Sequence, residues 1–334
     1  MPPARLTGAR RWLMAERGAE DGILDALIIG GGPAGLTAAL YLARFRRRLA
    51  LVDAGDSRAA WIPSSHNLPF FAEGIGGRDM LARQRESLAR YGITPRRAEV
   101  TALSREEDHF VASIAGGAPL RARRVLLATG CRDTPPDLPD LHEALNRGLL
   151  RYCPICDGYE ARGRKVAILG HGARGLGEAV FIARTYTRDV TLLTLGETLS
   201  PEDRARAEEH GIRLLTAPIE ALETEEDRIS AIRLGGQEHR FETLYSALGL
   251  QVRSGLATDL GAERDETGAL IVDDHCRTTV PGLYAAGDVV RGLNQIVVAM
   301  GHAAVAATDI HNRCELPTED EPGGNRAAAP RAAA

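Results

Sequence analysis

Tyr152-Cys153-Pro154-Ile155-Cys156-Asp157-Gly158 gathers more reactive side chains than any other stretch of this chain. Two cysteines separated by two residues can close a small disulfide ring, hold a metal, or pack inertly in a core. A zinc site asks for four ligands, normally a second Cys or His pair at similar spacing. Cys131, Cys276 and Cys314 are isolated and no His-x3–5-His pair accompanies them, so a redox pair is the preferred reading and no metal is expected. Pro154 suits the first position of a short helical turn, because its missing N–H has no partner to lose there. Cys153 then stands at the N-terminus of that turn, where backbone N–H groups favour a thiolate. Asp157 follows the second sulfur and is a candidate to pass a proton to or from it during thiol–disulfide exchange. Its plainer role is that of a turn residue before Gly158.

A second constellation of the chain reads as a dinucleotide site. Asp25-Ala26-Leu27-Ile28-Ile29 is a short apolar run of the kind a buried parallel strand shows. Gly30-Gly31-Gly32-Pro33-Ala34-Gly35 follows directly, Leu36–Ala43 reads as a helix, and Leu49–Asp53 as a second strand ending in an acid. In such a unit Gly30 permits the tight turn, Gly32 the close approach of a pyrophosphate at the helix N-terminus, and Gly35 the packing of helix on strand. Asp53 stands eighteen residues past Gly35, about the spacing of an acid that binds ribose hydroxyls. A lone glycine pattern is weak; strand, turn, helix, strand and acid together point to a dinucleotide site.

The same unit returns 140 residues later. Lys165–Leu169 is a strand, Gly170-His171-Gly172-Ala173-Arg174-Gly175 the turn, Leu176–Tyr186 the helix and Val190–Thr194 the next strand, an internal duplication. Gly170, Gly172 and Gly175 are candidates to hold NAD(P). The second strand runs out in Leu193-Thr194-Leu195-Gly196, with neither an acid for an NAD ribose nor an arginine pair for a 2′-phosphate; Glu197 is the nearest acid. The use of NAD(P)H is therefore left open.

Between and after these units, 61–71 reads as an irregular loop in which His66 and Asn67 are candidates to touch a cofactor. Residues 78–92 have helical spacing, and 99–103 and 110–114 look like strands of a small meander. Val125–Gly130 reads as a buried strand with a small-residue turn, 131–148, with three prolines, as a linker, and 245–250 as a return linker. Strands are expected at 230–234, 240–244, 269–273 and 282–288, and a helix over 295–312. Residues 1–22 are expected to be a loose extension and 316–334 a disordered tail.

At 334 residues, 44% hydrophobic, the chain can bury about two domains. A net charge of −4 gives no electrostatic case for nucleic acid or an anionic membrane surface. No run of eighteen apolar residues predicts a membrane span, and five cysteines do not make a secreted disulfide framework. A cytoplasmic enzyme is the expectation.

Gly30–Gly35, Ala128-Thr129-Gly130, Cys153–Gly158, Gly170–Gly175 and Gly287-Asp288 occur in the order seen in the thioredoxin reductase-like flavoproteins, and the chain resembles their low-molecular-weight branch over about residues 24–314. The resemblance implies an α/β fold of two Rossmann-like nucleotide-binding domains. The FAD domain is discontinuous, 23–131 and 248–315, and the inserted NAD(P)-binding-like domain, 132–247, carries the cysteines. It implies FAD bound by Gly30, Gly32, Pro33, Ala34, Gly35, Asp53, Ala54, Asn67, Thr129, Gly130, Gly287, Asp288, Gln295 and Ile296. By the same likeness Cys156 faces the flavin, Cys153 attacks the substrate disulfide and Asp157 is the general acid. The partner is a thioredoxin-like protein or a small-molecule dithiol or disulfide, the assembly a homodimer, and the domains rotate about hinges at 131–148 and 245–250. The missing 2′-phosphate motif is a departure from NADPH-using members. It keeps two alternatives in view: a ferredoxin-linked reductase, and a dithiol oxidase using oxygen, in which His302 is a candidate base.

Overall fold

The computed structural model describes residues 22–136, 150–225 and 228–314. β1 (Ile23–Ile29) ends in five consecutive buried residues, so both faces of its sheet must be covered. It pairs in parallel with β2 (Leu49–Asp53) on one side and β6 (Gly117–Leu127) on the other. β3 (Arg96–Arg97) extends the sheet beyond β2, and β17 (Leu283–Ala285) joins β6 in parallel. β4 (Val100–Glu106) and β5 (His109–Ile114) form an antiparallel meander with β6. Ala26 and Ile28 point into a core shared with α1 (Pro33–Arg44), α2 (Gly77–Ala89) and α6 (Ile296–Asn312). Leu27 and Ile29 point the other way, into a core with the meander. Ala299, Ala303, Ala306 and Ala307 line the buried side of α6, and these small side chains let it approach α1 closely.

A second sheet has the strand order β11 (Arg213–Leu215), β10 (Val190–Leu193), β9 (Val166–Leu169), β15 (Thr243–Ser246), β8 (Leu150–Arg151), all parallel. α4 (Gly172–Thr185) and α5 (Pro201–Glu209) pack on one face. An antiparallel sheet of β12 (Ile219–Glu225), β13 (Arg228–Leu234) and β14 (Gln237–His239) contributes to the core on the other. The α/β fold with Rossmann-like parallel sheets is as the sequence suggested.

Several local expectations differ. The linker expected over 131–148 begins as a strand: β7 (Cys131–Asp133) pairs antiparallel with β16 (Leu250–Val252), so the two crossings between the sheets run side by side. The rest of that stretch, from 137, lies outside the described residues, as do the tail over 316–334 and all but Gly22 of the extension expected over 1–22. Tyr245 and Ser246, expected in a return linker, belong to β15, where pairing with Ile168 and Leu169 leaves Tyr245 0% exposed. The strand expected at 240–244 accordingly starts only at Thr243. Residues 269–273 make isolated bridges through Leu270 to Arg264 and Val290 rather than a strand.

Candidate functional site

The tight turn after β1 is enforced sterically. Gly30 has φ +111°, and a Cβ there would lie 2.2 Å from the Ala128 carbonyl oxygen; one on Gly35 would lie 1.8 Å from the Gly30 oxygen. The first places the turn against Thr129-Gly130, and the second seats α1 on the strand. Asp53 at the end of β2 is buried, and its Oδ1 accepts hydrogen bonds from the backbone N–H of Gly31 (3.1 Å) and Gly55 (3.0 Å). Its Oδ2 is 3.7 Å from Arg85.

From this turn a cavity of about 680 Å³ runs to the cysteine pair. Of the residues expected at a flavin, Gly30, Gly32, Pro33, Ala34, Asp53, Ala54, Asn67, Thr129, Gly130, Gly287, Asp288, Gln295 and Ile296 all line it, although they come from six separate places in the sequence. Gly35 does not; it lies behind the turn as packing. His302 is absent from the walls, and its Nδ1 is buried without a hydrogen-bond partner.

Cys153, Cys156 and Asp157 close the far end. Pro154 opens α3 (Pro154–Asp157) and Cys153 is its N-cap, as the missing proline N–H dictates. The sulfurs form a disulfide. Gln295, at the N-cap of α6 and 7% exposed, donates from Nε2 to both Sγ atoms at 3.4 Å. Asn67 Nδ2 donates to Gln295 Oε1 at 2.9 Å and to the Ile155 carbonyl at 3.5 Å. Asp157 accepts a hydrogen bond from Tyr245 Oη (2.8 Å) and an ion pair from Arg151 Nη1 (3.0 Å). Burial pushes its carboxyl above the ordinary aspartate value, while Arg151 and the Tyr245 hydroxyl pull against that shift.

Sequence reasoning missed Arg58, Asp133 and Tyr245. Arg58 makes a bidentate pair with Asp133 at 2.6 and 2.8 Å and reaches Asp288 at 3.4 Å, all on the cavity wall. No local motif marks these residues, since each acts through a partner distant in the chain. Cys131 lies beside them with its thiol directed at Asp288, 3.6 Å away, and burial pushes that thiol up to about 12. Glu178 of α4 has a buried Oε2 without a hydrogen-bond partner, and burial raises its carboxyl to about 7.

At the second glycine turn Gly170 and Gly175 also exclude a side chain, though less tightly than Gly30 and Gly35; a Cβ on Gly175 would lie 2.6 Å from the Gly170 carbonyl carbon. Gly172 has φ +57° and open space before it. Leu195 (φ +56°) and Gly196 (φ +92°) turn the chain after β10, and Glu197 Oε2 comes 3.2 Å from His171 Nδ1 in the glycine turn. An acid absent from the strand end is thus delivered to the mouth of the turn from just beyond it.

Two Rossmann-like sheets with a cysteine pair opening into the first glycine-turn cavity define a disulfide oxidoreductase. The pyridine nucleotide-disulphide oxidoreductase family model matches residues 24–303, and the chain belongs to that family. It is 30% identical over 296 residues to a thioredoxin reductase of Treponema pallidum, covering 85% of this chain and 94% of that protein. Among solved structures it resembles HlmI, with TM-score 0.80 and 33% identity over 88% of this chain and 93% of the other. It likewise resembles thioredoxin reductase from Streptococcus pyogenes, with TM-score 0.80 and 26% identity over 88% and 98%. It is a thioredoxin reductase-like, flavin-dependent disulfide oxidoreductase. No helix among the described residues is long and apolar enough to cross a membrane.

Proposed function

We propose that the flavin is FAD, held in the cavity between the first glycine turn and the disulfide, and that electrons pass between it and Cys153–Cys156 and on to the disulfide of a thioredoxin-like protein or a small molecule. The observation that carries this reading is that one cavity holds both the dinucleotide turn and the disulfide. The residues present fit the group. α1 is twelve residues long, begins at the glycine turn and has neither a side-chain cap nor an acid in its first turn, so its N-terminal N–H groups suit a pyrophosphate. A side chain on Gly31 would fill the cradle, its Cβ lying 2.3 Å from Asp53 Cγ. Asp53 Oδ2 takes the ribose hydroxyls and Asp288 the groups nearer the flavin ring. FAD, when bound, supplies two-electron chemistry at the disulfide.

Within this reading, 23–131 and 248–315 form the FAD domain and 132–247 the inserted domain, which takes a nicotinamide donor weakly at Gly170, Gly172 and Gly175. Cys153 exchanges with the substrate, Cys156 faces the flavin, and Asp157 is the proton donor. Paired strands β7 and β16 form the hinge between the domains. The protein works as a homodimer in the cytoplasm.

Purified protein is expected to be yellow, and heat release followed by chromatography to give one FAD per chain. FMN, or a colourless protein that FAD does not reconstitute, overturns the assignment.

A further inference from the structure

The three side chains Ser65, Asn67 and Gln295 come from two segments, a loop before α2 and the N-cap of α6, which meet beside the disulfide through Asn67 and Gln295. Their hydrogen bonds have a single direction. Ser65, buried at 2% exposure, donates from Oγ to Asn67 Oδ1 at 2.9 Å. That makes Oδ1 the acceptor end of the Asn67 amide, and the Nδ2 end lies between two further acceptors, the Ile155 carbonyl and Gln295 Oε1. Gln295 is oriented in turn: with Oε1 occupied by Asn67, its Nε2 faces both sulfurs at 3.4 Å. An amide has one donor end and one acceptor end, so fixing the first amide fixes the second.

We propose that Gln295 is a catalytic residue of the disulfide, lowering the pKa of the thiol that exchange releases, and that Asn67 is the positioning residue that holds the Gln295 amide with its donor end on sulfur. The inference rests on the reading of Cys153–Cys156 as the exchanging pair. In exchange, an incoming thiolate attacks one sulfur; a new S–S bond forms to it as the Cys153–Cys156 bond breaks. The electron pair of the broken bond stays on the other cysteine as a thiolate. Protonation of that thiolate is a separate, later transfer, and the charge first appears where the Gln295 N–H already points. Because Nε2 is equidistant from both sulfurs, the same donor serves whichever one is released. Hydrogen bonds to a charged acceptor are roughly twice as strong as those to a neutral one, so the contact favours the thiolate over both the thiol and the disulfide. The relay includes the carbonyl of Ile155, inside the Cys-x-x-Cys turn, so it forms only with the cysteines turned toward this cavity.

The test is the pH dependence of iodoacetamide alkylation of Cys156 in the reduced holoprotein, read on the fragment ions of the tryptic peptide 152–162, which separate Cys156 from Cys153. Gln295→Leu is expected to raise the apparent thiol pKa by about one unit, so that about tenfold less thiolate is present at a given pH below it. Gln295→Glu, nearly isosteric, is expected to raise it further, which guards against a packing effect of leucine. Asn67→Asp does not reach sulfur, yet it is expected to shift the pKa in the same direction, because a carboxylate beside Oε1 turns the Gln295 acceptor end onto the sulfurs. In the Asn67→Asp, Gln295→Leu double variant the shift is expected to equal that of Gln295→Leu alone; two independent structural effects would add. An unchanged Cys156 pKa in both Gln295 variants overturns the catalytic role, and an additive double variant overturns the relay. The readout is on sulfur, so it stands apart from the flavin assignment: loss of FAD with a normal Cys156 profile counts against FAD alone.

Discussion

The hydroxyl of Tyr245 donates a 2.8 Å hydrogen bond to Asp157 Oδ1 across 88 residues of sequence. It ties the last strand of the second parallel sheet to the residue that follows the reactive disulfide. Arg151, on the neighbouring strand β8, completes the grip at 3.0 Å from Oδ2. Burial is the largest influence on Asp157 and raises its pKa, while the Tyr245 hydrogen bond favours the carboxylate. A proton donor with a raised pKa stays loaded to higher pH, and exchange slows as pH climbs through that value. Tyr245→Phe removes a bond to the charged form, so the alkaline limb of the pH–rate profile for disulfide reduction is expected to move to higher pH. Asp157→Asn is expected to lower the rate on the order of 100-fold and to remove the limb. A limb that moves down in Tyr245→Phe contradicts Asp157 as the proton donor.

Cys153→Ser and Cys156→Ser are each expected to abolish disulfide turnover while the flavin stays bound, because exchange needs an attacking and a resolving sulfur. Serine differs from cysteine by one chalcogen atom and keeps the cavity's shape, so flavin absorbance should survive. In the Cys153→Ser protein the remaining Cys156 should perturb the flavin spectrum through a charge-transfer contact. Full activity in either variant rules out the pair.

Glu178 gives a stability prediction with a definite sign. Its folded pKa, about 7, lies above the ordinary glutamate value of 4.5, with burial the main cause. A raised value means that the stability carried by the protonated form is fully present below pH 4.5 and is lost as pH rises through 7. Glu178→Gln keeps the neutral shape, so it should raise the melting temperature at pH 8, by an amount equivalent to about 3 kcal/mol, and change little at pH 4.5. Equal effects at both pH values would show that the carboxylate is not the cause.

The nicotinamide donor is expected to be used weakly, with NADH favoured over NADPH by less than about tenfold, or about 1.4 kcal/mol. A 2′-phosphate carries nearly two negative charges that need cations. Thr194, Leu195 and Gly196 bring none, and Glu197 beside His171 adds a negative charge at the turn. Anaerobic flavin reduction by each donor measures the preference. Glu197→Ala should narrow it. Micromolar, strongly selective use of NADPH would mean that arginines such as Arg174, Arg204 or Arg206 build the missing site.

The glycine turns and the cysteine pair were legible in the sequence because their constraints are local. Gly30 takes φ +111°, a conformation open to glycine and strained for other residues, and Pro154 opens a helical turn where its missing N–H costs nothing. Strand and helix types around both turns follow from runs of apolar residues set by the same short spacing. The cavity walls supplied by Thr129, Gly130, Gly287, Asp288, Gln295 and Ile296 were legible only by resemblance. The tertiary structure alone decided that Tyr245 is a buried strand residue holding Asp157, that Arg58 grips Asp133 of β7, and that Asn67 orients Gln295 on the disulfide. Each of those residues has an ordinary sequence neighbourhood. A side-chain hydrogen bond or ion pair between residues 75 to 228 positions apart leaves no trace in local spacing, because its geometry is set by how two sheets and their crossing strands pack.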